Sequence, residues 1–144
     1  MERAEFSAKN IEVIKEFDPS LPKIYASENA LIQVFLNLIK NSVYAVKKPD
    51  GGIIKIITKL DYTRNNPKFL KIEFIDNGCG ISKNDMNNIF VPFFTTKEKG
   101  SGLGLAVSQK IMHEHGGFID ISSVKNRGTD VSVYIPVEKF KTQA

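Results

Sequence analysis

Cysteine is almost missing from this chain of 144 residues, occurring once, at Cys79. A single thiol excludes an internal disulfide and any multi-cysteine metal site. Histidine is nearly as scarce, with only His113 and His115. No apolar run is long enough to act as a signal or to span a bilayer as a helix, so neither secretion nor direct membrane contact is expected, and the cytoplasm is the expected compartment. A membrane anchor elsewhere in a longer protein is compatible with that expectation. A block of basic charge is lacking too. The formal net charge of +4 comes from lysines spread over several segments, which suits a solvated surface better than a nucleic-acid footprint. With 42% hydrophobic and 25% charged residues, the chain has the makings of one globular domain with a real core.

Residues 1–10 are polar with little pattern and read as a tail or as the end of an upstream helix, leaving 11–144 as the domain. Ile11 to Phe17 alternates loosely between apolar and charged residues, as an edge or half-buried strand does, and Asp18-Pro19-Ser20-Leu21-Pro22 stops it. Ser27 is a good N-cap, Glu28 suits the positive end of a helix dipole, and the apolar-rich run to about Val46 predicts a long helix. Leu31, Val34, Phe35, Leu38 and Ile39 give it a broad buried face, with Gln33, Asn37 and Asn41 on a neighbouring stripe. Beyond the turn Pro49-Asp50-Gly51-Gly52, the run Ile53 to Leu60 reads as a strand, and Leu70, Ile72 and Phe74, alternating with Lys71 and Glu73, read as its hairpin partner ending at Asp76. Ser82 and Asp85 have capping-box spacing for a short helix over about Lys83 to Phe90, closed by Pro92. Val91 to Ser101 has no sustained period and reads as a loop or lid. A second long helix starts at Leu103 and stops at Gly116-Gly117, and Phe118 to Val124 with Thr129 to Val137 form a final hairpin. The order of elements favours an α+β class, with helices layered on one face of a sheet and no alternating βαβ winding.

Three stretches invite a chemical reading. Gly100-Ser101-Gly102-Leu103-Gly104 precedes a helix, where free backbone N–H groups and the helix dipole can hold phosphate oxygens. The same cluster also reads as a hinge, and it fits neither G-x-x-x-x-G-K-[ST] nor G-x-G-x-x-G after a strand. Asn37 and Asn41 stand in an otherwise apolar helix, where an unpartnered amide would cost about 1–3 kcal/mol. They either bond backbone or face water, or they offer neutral oxygen ligands to a Mg²⁺ that bridges phosphates. Asp76, at a strand end beside Asn77-Gly78-Cys79-Gly80-Ile81, is either a turn cap or an acceptor for an exocyclic amine.

Taken in order, Gln33-Val34-Phe35-Leu36-Asn37-Leu38-Ile39-Lys40-Asn41-Ser42, Asp76-Asn77-Gly78-Cys79-Gly80-Ile81, Phe90-Val91-Pro92-Phe93-Phe94-Thr95-Thr96-Lys97 and Gly100-Ser101-Gly102-Leu103-Gly104-Leu105 resemble the four successive boxes of the histidine kinase catalytic and ATP-binding domain. The likeness continues through His115-Gly116-Gly117 and Gly128-Thr129 and covers nearly the whole chain. Within that family, Glu16-Phe17-Asp18-Pro19-Ser20-Leu21-Pro22 looks most like the nitrogen-regulation sensor kinases.

The resemblance implies a Bergerat-type fold, a two-layer α/β sandwich whose mixed, mostly antiparallel sheet is covered on one face by helices, with ATP and Mg²⁺ as cofactors. It implies that Asp76 bonds the adenine amine with Thr129 assisting through water, and that Gly78, Gly80 and Ile81 shape the base pocket. Asn41 would be the main Mg²⁺ ligand, with Asn37 beside the phosphates. Phe90 and Phe93 would anchor the lid, Lys97 would reach the terminal phosphates, and Gly100, Ser101, Gly102, Leu103, Gly104 and Leu105 would line them with backbone N–H groups. Tyr44 would touch phosphate or ribose. Asn37, Asn41 and Lys97 would be the catalytic set. Gyrase-, MutL- and Hsp90-type relatives carry a water-activating glutamate at the position of Asn37, and an amide is no general base, so transfer to a separate acceptor is expected rather than hydrolysis.

That acceptor is expected on a histidine-bearing dimerisation domain absent from this chain, with a response regulator receiver domain downstream. This fragment is then a monomer and the full protein a homodimer. His113 reads as exposed and His115 as structural, and neither as the acceptor. Cys79 reads as a small residue filling a gap between glycines. The alternative is a non-kinase ATP-binding regulatory module of the same fold, anti-sigma-like or degenerate.

Overall fold

The computed structural model describes residues 10–46, 51–63, 66–92 and 104–137. Strand β1 (Ile11–Phe17) leads into helix α1 (Glu28–Ala45), then β2 (Gly52–Thr63), β3 (Asn66–Asp76), the short helix α2 (Lys83–Met86), α3 (Gly104–Glu114), β4 (Phe118–Val124) and β5 (Gly128–Pro136). The five strands form one sheet in the order β1-β2-β3-β5-β4. Every pairing is antiparallel except β1 with β2, whose parallel register runs from Ile11 opposite Gly52 to Phe17 opposite Thr58. A parallel pair needs a long crossover, and α1 is that crossover. The expectation of no alternating βαβ winding therefore holds for the sheet as a whole, with β1-α1-β2 as its single parallel unit.

The helices cover one face. Leu70, Ile72 and Phe74 of β3 join Val131, Val133 and Ile135 of β5, Ile119 of β4, Val34 and Leu38 of α1, and Met112 of α3 in a continuous buried cluster. Each such side chain contributes about 1.5–3 kcal/mol by leaving water. A second cluster, Val43, Val46 and Ile54, closes the C-terminal end of α1 against β2. Ser27 caps α1 by accepting the N–H of Ala30 at 3.3 Å. At the far end of α3, Gly117 N–H bonds the carbonyl of Met112 and Gly116 N–H that of His113, with Gly116 at φ 76°. This Schellman turn is available to glycine at little cost.

The opposite face carries charge and rings. Phe118 stacks on Tyr134 at 4.3 Å between centroids, and Phe69 meets both edge-on. Beside them Glu73 is paired with Lys59 at 3.1 Å and with Lys71 at 3.6 Å. Burial, the hydrogen bond shared with Glu73 and that residue's charge push Asp130 up to about 6. Burial of Glu73 is outweighed by hydrogen bonds from Lys59 and Asp130 and by the two lysine charges, which hold it below the usual carboxylate range.

Two element boundaries depart from the pattern-based reading. The helix expected over Lys83 to Phe90 has its cap, Ser82 Oγ accepting Asp85 N–H at 3.2 Å, but ends at Met86 and continues as turns. Ile89 is buried at 8% exposure and Phe90 packs on the main cluster, so tertiary packing, not helical propensity, sets this segment. The first hairpin is longer than expected. β2 runs on to Thr63 and β3 begins at Asn66, with a register shift between Asp61 and Tyr62 next to Pro67, which has no N–H to give the ladder.

Candidate nucleotide site

The site lies on the helix-covered face. Asp76 shares the inward parity of Ile72 and Phe74 along β3, so its carboxylate is delivered inside, 6% exposed. Its Oδ1 accepts the N–H of Gly78 at 2.8 Å, an Asx turn that fixes the carboxylate's orientation. Thr129 stands directly opposite Asp76 on β5, and such cross-strand partners leave the same face as neighbours.

The loop that follows is bonded on every side. Asn77 gives its N–H to Ile53 O and receives Ile53 N–H on Oδ1 at 2.8 Å, which clamps it to β2. Cys79 N–H bonds Ala45 O at 3.0 Å, tying the loop to the end of α1, and Cys79 O accepts Asn126 N–H from the β4–β5 turn. Ile81 N–H donates to Ser123 Oγ on β4 at 2.8 Å. The glycines are required by these approaches. A Cβ at Gly78 would strike the Ala45 carbonyl, and one at Gly80, which also sits at φ 68°, would strike that of Val124. Cys79 is exposed, not a buried gap-filler.

The other end of the site is built on α1. Asn37 Nδ2 lies 3.4 Å from Gly104 O and 3.3 Å from Ser108 Oγ. Because a carbonyl only accepts, this contact fixes which end of the amide is nitrogen. The amide is thus a strut from the middle of α1 to the first turn of α3. At Gly104 the nearest protein atoms to a Cβ would be those of Asn37 at 3.8 and 3.9 Å. Among the described residues a methyl group would fit there, so their packing does not demand glycine. Asn41 and Tyr44 follow on α1, both half-buried, and Asn41 shares the face of Asn37 one turn along.

The structure therefore gathers Asp76, Thr129, Gly78, Gly80 and Ile81 at the strand ends, and Asn37 with Gly104 at the start of α3. Phe90 and Leu105, both partly buried, pack on the main cluster. Phe93, Lys97, Gly100, Ser101, Gly102 and Leu103 lie outside the described residues. Among the described residues, no cluster of three His, Cys, Asp or Glu side chains could hold a metal. Pattern reading missed Asn77, Ser108 and Ser123. Ser108 is fully buried and one turn beyond Gly104, which was the available signal for it. His115 is structural, as expected: its Nδ1 sits 2.8 Å from Ile111 O, and its Nε2 accepts the N–H of Ser27. No described helix is long and apolar enough to cross a membrane.

Comparison with known proteins bears on the family and the fold. Residues 26–139 match the family described as histidine kinase-, DNA gyrase B- and HSP90-like ATPase. The sensory histidine kinase/phosphatase NtrB of Rhizobium leguminosarum bv. phaseoli is 42% identical, with 92% of this chain covering 37% of that protein. Sporulation kinase E of Bacillus subtilis is 36% identical over 94% of this chain and 18% of its own length. The chain thus spans well under half of either relative. The nucleotide-free catalytic domain of histidine kinase ThkA superposes with a TM-score of 0.78 at 30% identity, covering 94% of this chain and 86% of that one. Full-length ShkA, solved with AMPPNP, shares the fold at a TM-score of 0.79 and 23% identity, over 96% of this chain and 28% of its own. The chain belongs to the histidine kinase-, DNA gyrase B- and HSP90-like ATPase family, and within it is a nucleotide-binding catalytic domain of the histidine kinase type.

Proposed function

We propose that this domain, taken as residues 11–144, binds ATP with Mg²⁺ and presents the γ-phosphoryl group to a histidine on a separate dimerisation domain of a cytoplasmic or membrane-anchored sensor kinase. The observation that carries the reading is the buried, pre-oriented Asp76 carboxylate with Thr129 beside it. It is an acceptor fixed before any ligand arrives, at the far end of α1 from the Asn37 strut. Asp76 takes the 6-amino group of adenine, and Gly80 and Ile81 hold the loop that carries it. Asn41 offers its amide oxygen to Mg²⁺, and Asn37 keeps the N-terminus of α3 aimed at the phosphates. The Mg²⁺ that Asn41 would hold would supply neutralisation of the charge that develops on the departing phosphoryl group. Lys97 and the stretch from Gly100 to Leu105 complete the phosphate end, and Tyr44 contacts ribose or phosphate.

Asn37 also accounts for the choice of acceptor. Its nitrogen donates to Gly104 and Ser108, and an amide does not take a proton from water near neutral pH, so Asn37 supplies no base for hydrolysis. The site supplies positioning and charge neutralisation to a nucleophile brought by another domain. Relatives named as kinases favour this over a non-kinase regulatory module. The phosphorylated histidine would then pass its group to a receiver domain, and the full protein would act as a homodimer around single catalytic domains.

The test mixes the domain with a histidine-bearing hairpin domain from an NtrB-type relative and γ-labelled ATP. Acid-labile label on the hairpin, absent when its histidine is replaced by alanine and when Mg²⁺ is chelated, is expected. ATP binding without transfer to any such hairpin would refute the kinase reading.

A further inference from the structure

Ser123 does more than support Ile81: it is the centre of a small hydrogen-bond knot. Its Oγ receives Ile81 N–H at 2.8 Å and lies 2.9 Å from Gly128 O and 2.8 Å from Thr129 Oγ1. A serine hydroxyl has one proton and two lone pairs. Gly128 O can only accept, and Ile81 N–H can only donate. All three contacts carry a proton in one arrangement alone: Ser123 donates to Gly128 O and accepts from both Ile81 N–H and the Thr129 hydroxyl. The proton of Thr129 is thereby committed to Ser123, and Thr129 Oγ1 turns only lone pairs to its remaining surroundings.

We infer that Ser123 is a positioning residue that sets the hydrogen-bond polarity of the base pocket by taking the proton of Thr129. The inference rests on the adenine reading above. Asp76 and Thr129 are cross-strand partners on one face, so the base edge meets two acceptors side by side. Adenine presents a donor, its 6-amino group, next to an acceptor, N1. The amine satisfies Asp76. N1 and Thr129 Oγ1 both accept, so only a molecule with two protons joins them, and a water donating one to each fills that role. Ser123 thus makes N1 recognition water-mediated and orients the water. A hydroxyl freed from Ser123 would rotate, and the water would lose its fixed partner.

The probe pair is ADP and 1-deaza-ADP, which replaces N1 by C–H and keeps the 6-amino group. Titration of the whole chain is expected to show 1-deaza-ADP binding about fivefold more weakly, the usual worth of one hydrogen bond. In Ser123→Ala both ligands weaken, because Ile81 N–H loses its partner, but the gap between them falls below about twofold. Thr129→Val, a strand-compatible isostere that leaves Ser123 in place, should close the gap in the same way, and Ser123→Thr, which keeps the hydroxyl, should restore it. Purine-riboside diphosphate, which lacks the amine but keeps N1, should lose a similar factor in wild type and Ser123→Ala. An unchanged gap in both Ser123→Ala and Thr129→Val overturns the assignment and leaves Ser123 as a loop support. If wild type does not prefer ADP over purine-riboside diphosphate, the adenine reading itself fails and this inference falls with it.

Discussion

Replacing Gly78 by alanine separates two reasons for a glycine. Gly78 is buried and is not among the described glycines with positive φ, so its backbone conformation is open to alanine and the cost of a methyl group there is steric alone. The three atoms a Cβ would meet first all belong to Ala45, two of them main-chain carbonyl atoms, which no rotamer change can move aside. Overpacking of this kind costs about 1–3 kcal/mol. The methyl group would also push the loop off α1 and strain the 3.0 Å bond from Cys79 N–H to Ala45 O, adding about 0.5–1.5 kcal/mol. A loss of about 2–4 kcal/mol in urea unfolding is expected for Gly78→Ala, with nucleotide affinity falling further because Gly78 N–H is what orients Asp76. Ala45→Gly on top of it should not rescue, since the obstacle is the carbonyl. The steric argument is refuted if Gly78→Ala unfolds within about 0.5 kcal/mol of wild type, or if Ala45→Gly restores it.

Asp76→Asn should weaken ADP about 10- to 100-fold in calorimetric titration, the range for a charge-assisted hydrogen bond. To keep Gly78 N–H satisfied at 2.8 Å, the new amide must turn its oxygen there and place N–H₂ against the adenine amine. Asn41→Ala should bind ADP with an affinity that varies less with Mg²⁺ concentration than wild type does; an unaltered Mg²⁺ dependence would remove Asn41 from the metal. Asp130→Asn tests the outer face. A carboxyl pushed up to about 6 from about 3.8 in the unfolded chain favours folding while protonated, so this group's contribution is full below about pH 4 and is lost as pH rises through 6. Glu73, held low, works in the opposite sense and loses its contribution as acid protonates it. The Asn variant should therefore gain stability relative to wild type between pH 6 and 8, by on the order of 1 kcal/mol after solvent screening of a half-buried group, and show no advantage at pH 4. Thermal melts across that range decide it.

Much of the frame was legible because local signals and tertiary outcome agree. Ser27 caps α1 as its position before an apolar run predicts, and the alternation of Leu70, Ile72 and Phe74 against Lys71 and Glu73 gives the inward face of β3. What could not be read depends on register. Ser122 and Ser123 are adjacent and alike in sequence, and only the pairing of Ser123 with Thr129 places it inward. Glu73 and Asp130 are far apart in the chain and interact only because β3 and β5 are neighbours. The parallel partner of β1 was equally hidden, since an edge strand's own residues do not say which strand it joins. Asp85 three residues beyond Ser82 signalled a helix start but nothing signalled its end, so α2 was expected to run on to Phe90.

The structure also changes what the glycines of Asp76-Asn77-Gly78-Cys79-Gly80 explain. In sequence they suggest room for a flat ring, yet Gly78 and Gly80 are needed first by Ala45 and Val124. Their absence of side chains lets α1, β2, β4 and the β4–β5 turn converge on one loop, and the loop's rigidity is what gives Asp76 a fixed direction. The same helix that receives Cys79 N–H at Ala45 carries Asn37 eight residues earlier, about 12 Å along its axis. In the proposed reading, base recognition and phosphate positioning are anchored to two points of this one helix, with Asn41 between them. A nucleotide bound as proposed would lie along α1 and be held at both ends by that helix. Perturbations at Gly78 should accordingly be felt in phosphate positioning as well as in base affinity, whereas loss of the Asn37 strut should disturb the phosphate end and leave discrimination at the base intact.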